Sequence, residues 1–158
     1  MKKSLLALAS GTLGLGIAEF VMMGILPNVA SDMGISIPQA GHFISAYALG
    51  VCVGAPLAAA FSQNRSLKQV LLALSLIYII GNFCAALSVG YGMLLCMRFI
   101  SGLPHGAFFG AGSIVAEKVA DEGKASQAVS VMIAGMTIAN LFGVPLGTML
   151  SNLISWRV

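Results

Sequence analysis

Five stretches of this sequence, at residues 5–27, 39–61, 69–89, 92–115 and 126–154, each run for about 20 residues or more with scarcely a charged side chain. A helix needs about 20 mainly apolar residues to cross the hydrocarbon core of a bilayer. Strands are not indicated, because no period-two alternation is present and only helices or closed barrels can cross a bilayer. The expected fold is all-α: a polytopic transmembrane helix bundle of about five helices, forming a single transmembrane domain over residues 1–158. Composition excludes the other classes. Hydrophobic residues make up 58% and charged residues 8% of the chain, against about 25% charged in a soluble domain. Disordered chains are polar and charge-rich, the opposite of this one. The net charge of +3 is scattered and forms no basic stripe for nucleic acid.

The breaks between the runs carry turn chemistry or charge. Residues 28–38 hold Asp32, Gly34 and Pro38; residues 62–68 are polar; Gly90-Tyr91-Gly92 makes a tight turn; residues 117–124 are charge-dense. Lys2 and Lys3 before an apolar run resemble the start of a signal peptide. The run, however, continues to Pro27, contains Glu19 and lacks a small-x-small cleavage site at its far end, so it reads as a retained helix. Cys52, Cys84 and Cys96 lie within apolar runs, are odd in number and read as small packing residues. Orientation follows from the basic residues. Lys2, Lys3, Arg65, Lys68, Lys118 and Lys124 fall on one side and Arg157 on the other. The N-terminus is therefore expected in the cytoplasm and the C-terminus outside, in a cell (inner) membrane.

An ionisable group at mid-membrane costs about 2.5–3.5 kcal/mol on insertion scales and normally faces a cavity or a partner. Glu19 in the first run and Arg98 in the fourth are such groups. Glu19 lies about 12 Å from the outer end of its run and Arg98 about 9 Å, at 1.5 Å per residue. The runs are antiparallel, so a direct or water-bridged contact is feasible if they are neighbours. A proton-binding carboxylate is one reading, and a static ion pair that fixes packing is the other. His105 follows Arg98 by two helical turns and shares its face. It reads either as a proton relay or as hydrogen-bonded packing. Asn82 and Asn140 are expected to bond between helices.

Small residues recur every fourth position. Gly50 and Gly54 do so in the second run; Gly102, Gly106 and Gly110 in the fourth; Gly135, Ala139, Gly143 and Gly147 in the fifth, where Pro145 also lies. Such stripes let backbones approach closely in lipid. Pro104 and Pro145 are kink sites.

Four stretches carry a family resemblance. AEFVMMGILPNVASDMGIS (18–36) resembles a first-helix signature, and RFISGLPHGAFFGAGSIVA (98–116) a fourth-helix motif of arginine followed four residues later by glycine. GMTIANLFGVPLGT (135–148) resembles a fifth-helix antiporter motif, and Trp156-Arg157 the start of a sixth helix. Together they resemble the N-terminal part of a major facilitator superfamily transporter, in the bacterial drug and sugar efflux group of proton antiporters. The resemblance implies proton coupling through Arg98, with Glu19 as the first-helix acid and His105 beside them. It also implies a fifth helix bent and sealed by Gly143, Pro145 and Gly147. Gln63 stands where the family's second loop usually has aspartate, which weakens any gating role for residues 62–69.

The family fold has two six-helix halves around a midplane site, so this chain reads as an incomplete N-terminal half. Residues 155–158 read as an interruption. The expected function is the N-terminal fragment of a proton-coupled efflux permease for drugs, sugars or purines, not competent for transport alone. Its partners would be the lipid bilayer, protons, a small-molecule substrate in the complete protein, and a second chain where that supplies the missing helices. The alternative is a non-transporting membrane protein that assembles with another chain. No nucleophile–base set, metal-ligand cluster or phosphate loop is visible, so no enzyme activity, cofactor or metal is expected.

Overall fold

A computed structural model describes residues 3–157; Lys2, which entered the orientation argument, lies outside the described residues. Those residues are helical with short connections, and five helices among them are long and apolar enough to cross a membrane. They are α1 (Lys3–Met33), α2 (Ile37–Ser62), α3 (Leu67–Ala86), α4 (Tyr91–Val119) and a fifth span (Ala125–Leu153). The fifth span consists of α5 (Ala125–Ile138), a π-helical segment (Ala139–Gly143) and α6 (Val144–Leu153).

Several helix ends differ from those expected, and α4 runs to Val119, four residues past the expected end. The first helix does not stop at Pro27 but runs through it to Met33. Proline removes one backbone donor, but the remaining turns continue past it. The stop is Gly34, whose φ of 63° is the left-handed conformation that glycine adopts freely. Ile35 donates to Ala30 and Gly34 to Ser31, the paired bonds of a Schellman cap. The connection to α2 is thereby shortened, and Ser36 with Gln39 closes a capping box at the start of α2. Ser66 and Gln69 do the same for α3, which begins at Leu67 and ends at Ala86 rather than Val89.

The fifth span is broken where the small residues cluster. Pro145 has no N–H for the Leu141 carbonyl, and the chain widens into the π-helical turn over Ala139–Gly143 just before it.

Two seams dominate the bundle. Helices α2 and α4 run parallel, and so do α1 and the fifth span. Along the latter pair, contacts climb both chains together. Gly135 meets the Ala9 carbonyl, Gly143 meets Ile17, and Gly147 meets Val21. Asn28 then donates to Ser151 at 2.7 Å and Asn152 at 2.8 Å. Thr12 donates to the Met132 carbonyl within this seam. In contrast, α1 and α4 are antiparallel, with Leu8 near Gly112, Gly11 against Phe108 and Ala18 bonded by Arg98.

The apolar core is divided. One cluster gathers Leu5, Leu8, Leu15, Leu74, Phe108 and Met132 toward the N-terminal end of α1. The other gathers Met22, Ile25, Val29, Phe43, Ala85 and Leu94 toward its C-terminal end. Glu19 lies between them. At the C-terminal end of α1, Arg157 reaches Asp32 at 2.9 Å and donates to the Ala86 and Ser88 carbonyls beyond α3. Trp156 donates to the same carboxylate at 2.9 Å, so the ends of α1, α3 and the fifth span are tied together.

Three expectations do not hold in detail. Asn82 bonds the Tyr78 carbonyl of its own helix at 2.9 Å instead of a neighbouring helix. Cys52 and Cys96 are exposed and Cys84 half-buried, so they are not core packing residues. Gly110 has open space where a Cβ would stand, so the fourth-helix stripe makes close contact at Gly102 and Gly106 only.

Candidate functional site

The site depends on how closely α2 and α4 approach. A Cβ on Gly102 would overlap the Tyr47 carbonyl oxygen; one on Gly50 would overlap Phe99, and one on Gly54 Leu103. Gly106 continues the seam, with its Cβ position 3.0 Å from the Val51 carbonyl. Glycine at these positions lets backbone lie on backbone. The Tyr47 side chain is thereby driven into the interior between Arg98 and His105, where it is 1% exposed.

Arg98 is 3% exposed and spans three helices. Its Nη1 donates to the Ala18 carbonyl of α1 at 2.9 Å and its Nε to the Phe43 carbonyl of α2 at 3.5 Å. The guanidinium plane lies 4.4 Å from the Tyr47 ring centroid, a cation–π contact. Seven residues further along α4, His105 is also buried, with its Nδ1 2.9 Å from the Tyr47 hydroxyl. Phe109 stacks on its ring at 5.3 Å.

Glu19 completes the group from α1. Its Oε2 stands 3.7 Å from His105 Nε2, within ion-pair reach but beyond a direct hydrogen bond. The carboxylate is the half-open member, 27% exposed beside a His105 side chain that is 6% exposed. Glu19 Oε2 and Arg98 Nη2 are buried polar atoms without a hydrogen-bond partner. Native structures leave few such groups, so each calls for a reason. Carboxylate, imidazole and phenol thus stand in a row across α1, α4 and α2, with one buried cation alongside. The carboxylate and the imidazole can each gain or lose a proton, the phenol can donate or accept a hydrogen bond, and the cation offsets the negative charge that Glu19 carries when ionised.

Glu19, Arg98 and His105, chosen from sequence, therefore lie in one polar layer. Arg98 bonds the carbonyl of the residue preceding Glu19, in keeping with the matched depths. The ionisable neighbour of the Glu19 carboxylate within 4.0 Å is His105, and among the described residues no Glu19–Arg98 ion pair lies within that distance. Tyr47 was missed. Its signal was a phenol inside an apolar run, since a buried tyrosine hydroxyl usually finds a partner. Gly135, Gly143 and Gly147 lie away from this layer's α2–α4 side, on the seam with α1. Between α1 and the fifth span a cleft of about 620 Å³ is lined by Phe20, Met136, Thr137 and Asn140.

Comparisons with known proteins agree on kinship. The profile of the Major Facilitator Superfamily matches residues 8–158. AraJ of Escherichia coli strain K12 is 57% identical over 157 residues, covering 99% of this chain and 40% of its own length. The inner membrane transport protein YdhP of the same organism is 46% identical over 98% of this chain and 40% of its own. A chloramphenicol resistance protein of Streptomyces lividans is 31% identical over 99% of this chain and 40% of its own. The chain thus spans about two-fifths of the length of these relatives. With five membrane-spanning helices and a family match over nearly all its residues, this chain is a multi-pass membrane protein that belongs to the major facilitator superfamily.

Proposed function

We propose that these helices are the N-terminal, proton-handling part of a proton-coupled efflux transporter. Glu19 is the proton carrier, His105 its relay partner, and Arg98 the fixed counter-charge. The observation that carries this reading is the polar layer itself. A carboxylate, an imidazole and a guanidinium with one unpaired nitrogen are held together between two apolar clusters, where such groups are costly unless used. A proton arriving from outside would neutralise Glu19, and release of substrate outward would be coupled to that exchange. Gly143, Pro145 and Gly147 keep the fifth span sealed against α1 so that protons do not leak past.

The basic residues favour an inner-membrane setting with the N-terminus in the cytoplasm. The chain's share of its relatives' length supports a transport path completed by further helices, from the same reading frame or from a second chain. The substrate class is a small organic molecule exported from the cell. This rests on the name of the Streptomyces relative and on the largely apolar cleft with Thr137 and Asn140 on its wall.

Infrared titration of the chain in lipid tests the proton reading directly. The chain has five acidic side chains, and one component of their carboxylic-acid band is expected to grow as pH falls and to be missing in Glu19→Gln. In proteoliposomes of the complete transporter, Glu19→Gln is expected to abolish dependence of efflux on a pH gradient while substrate still binds. Arg98→Lys is expected to impair efflux, because an ammonium lacks the planar fork that reaches two carbonyls while stacking on Tyr47. Gradient-driven efflux by Glu19→Gln at the unmodified rate would sink the carrier role.

A further inference from the structure

We infer that Tyr47 is a positioning residue that locks His105 in the Nε2–H tautomer and so aims an N–H at Glu19. The inference rests on the proton-handling reading above and deepens it.

The geometry leaves His105 one good hydrogen bond, from Nδ1 to the Tyr47 hydroxyl at 2.9 Å. Which ring nitrogen carries the proton is set by the bond the other makes. Two arrangements are conceivable. In the first, the phenol donates to Nδ1, the proton sits on Nε2, and Nε2–H points toward the carboxylate 3.7 Å away. In the second, Nδ1–H donates to the phenol oxygen and the Nε2 lone pair faces the carboxylate. The second sets two electron-rich groups against each other inside a low-dielectric layer, where such opposition is poorly screened. It also turns the phenol proton away from its hydrogen-bond partner.

Arg98 adds a further bias. Its guanidinium over the Tyr47 ring draws electron density from the ring face and makes the hydroxyl a better donor. The side chains around His105 offer no rival. From α1 comes Glu19, from α2 Tyr47, and from α4 itself Arg98. Helix α3 offers Tyr78, whose hydroxyl donates to the Gly14 carbonyl. The fifth span carries no titratable side chain. Tyr47 is held in place by backbone, since Gly102 admits its carbonyl and the ring lies buried against Arg98. The tautomer is therefore specified by the glycine seam of α2 and α4, on the far side of the imidazole from the carboxylate.

The chain has two histidines, His42 and His105, so nitrogen-15 labelling of histidine gives a spectrum that one substitution assigns. With His42→Gln removing the second signal, solid-state NMR in lipid near neutral pH reports the His105 tautomer. The unmodified chain is expected to show Nε2–H as the dominant form. Tyr47→Phe keeps the ring under Arg98 and deletes only the hydroxyl, and the Nδ1–H form is expected to rise about fivefold, the shift that one ordinary net hydrogen bond supports. A dominant Nδ1–H form in the unmodified chain would overturn the inference, and that measurement depends on no Tyr47 variant folding. An unchanged tautomer ratio in a helical, folded Tyr47→Phe chain would overturn it equally. The infrared band of Glu19 in the same samples separates the two ideas. A band present beside an unlocked tautomer refutes the role of Tyr47 alone. A locked tautomer with no titrating band refutes the proton-carrier reading alone.

Discussion

Two glycines on one helix should respond to the same substitution with opposite sign. At Gly102, a Cβ would overlap the Tyr47 carbonyl oxygen and stand 3.1 and 3.2 Å from the carbonyl carbon and Cα of that residue. Carbon atoms pack best at about 3.5–4.0 Å, and all three atoms are backbone, so no side chain can swing aside. Helix α2 must withdraw by several tenths of an ångström along the seam that Gly50, Gly54 and Gly106 also share. Overpacking of this kind costs about 1–3 kcal/mol. At Gly110 nothing lies within 4 Å of the new methyl group. There alanine relieves the penalty of glycine in a helix, worth about 0.5–1 kcal/mol. The same relief applies at Gly102, so Gly102→Ala and Gly110→Ala should differ by the overpacking cost alone, about 1–3 kcal/mol, the first destabilised and the second neutral or stabilised. Unfolding in mixed detergent micelles, followed by helix circular dichroism and by the single tryptophan, measures both. Equal stabilities, or a more stable Gly102→Ala, would refute the claim that backbone contact at Gly102 sets the α2–α4 spacing.

Arg157→Gln should loosen the tie at the C-terminal end of α1 and move Trp156 fluorescence to longer wavelength as its ring loses the shared carboxylate. The stability loss should stay near or below about 1 kcal/mol, because the Asp32–Arg157 pair is partly exposed; an unmoved emission maximum would show that the tie does not hold Trp156. A reporter active only outside the cytoplasm, fused after residue 158, should be active, and cytoplasmic activity there would reverse the orientation.

Much of the bundle was legible because lipid leaves few choices. Apolar length alone located the spans, since a chain in hydrocarbon must satisfy its backbone within each helix. The ends were less legible because proline and glycine compete as stop signals. Pro27 looked like the terminator of α1, but the positive φ available at Gly34 ends the helix. At the site, Glu19, Arg98 and His105 stood out as ionisable groups in apolar runs. Their pairing did not. Whether Glu19 meets Arg98 or His105 depends on the rotation of α1 about its axis, which residue spacing along one helix does not encode. Tyr47 was hidden for another reason: a tyrosine suits an apolar run, and only the glycine contact across the seam reveals what its hydroxyl faces.

The widened turn in the fifth span acts as a phase corrector. On a regular helix each step of four residues turns about 400°, so a stripe of small residues drifts by about 40° per rung. From Gly135 to Gly147 three rungs would carry the last glycine about 120° off the line on which it began. Gly135 meets Ala9, Gly143 meets Ile17 and Gly147 meets Val21, so the partners on α1 keep the same spacing and drift alongside the glycines. The π-helical segment Ala139–Gly143 lies between the first and last of these contacts. Its wider turn advances less per residue than an α-helical one, and so takes back part of the accumulated drift. Shifting that segment by one turn would leave the same glycines in the sequence but change the angle at which those between its old and new positions face α1.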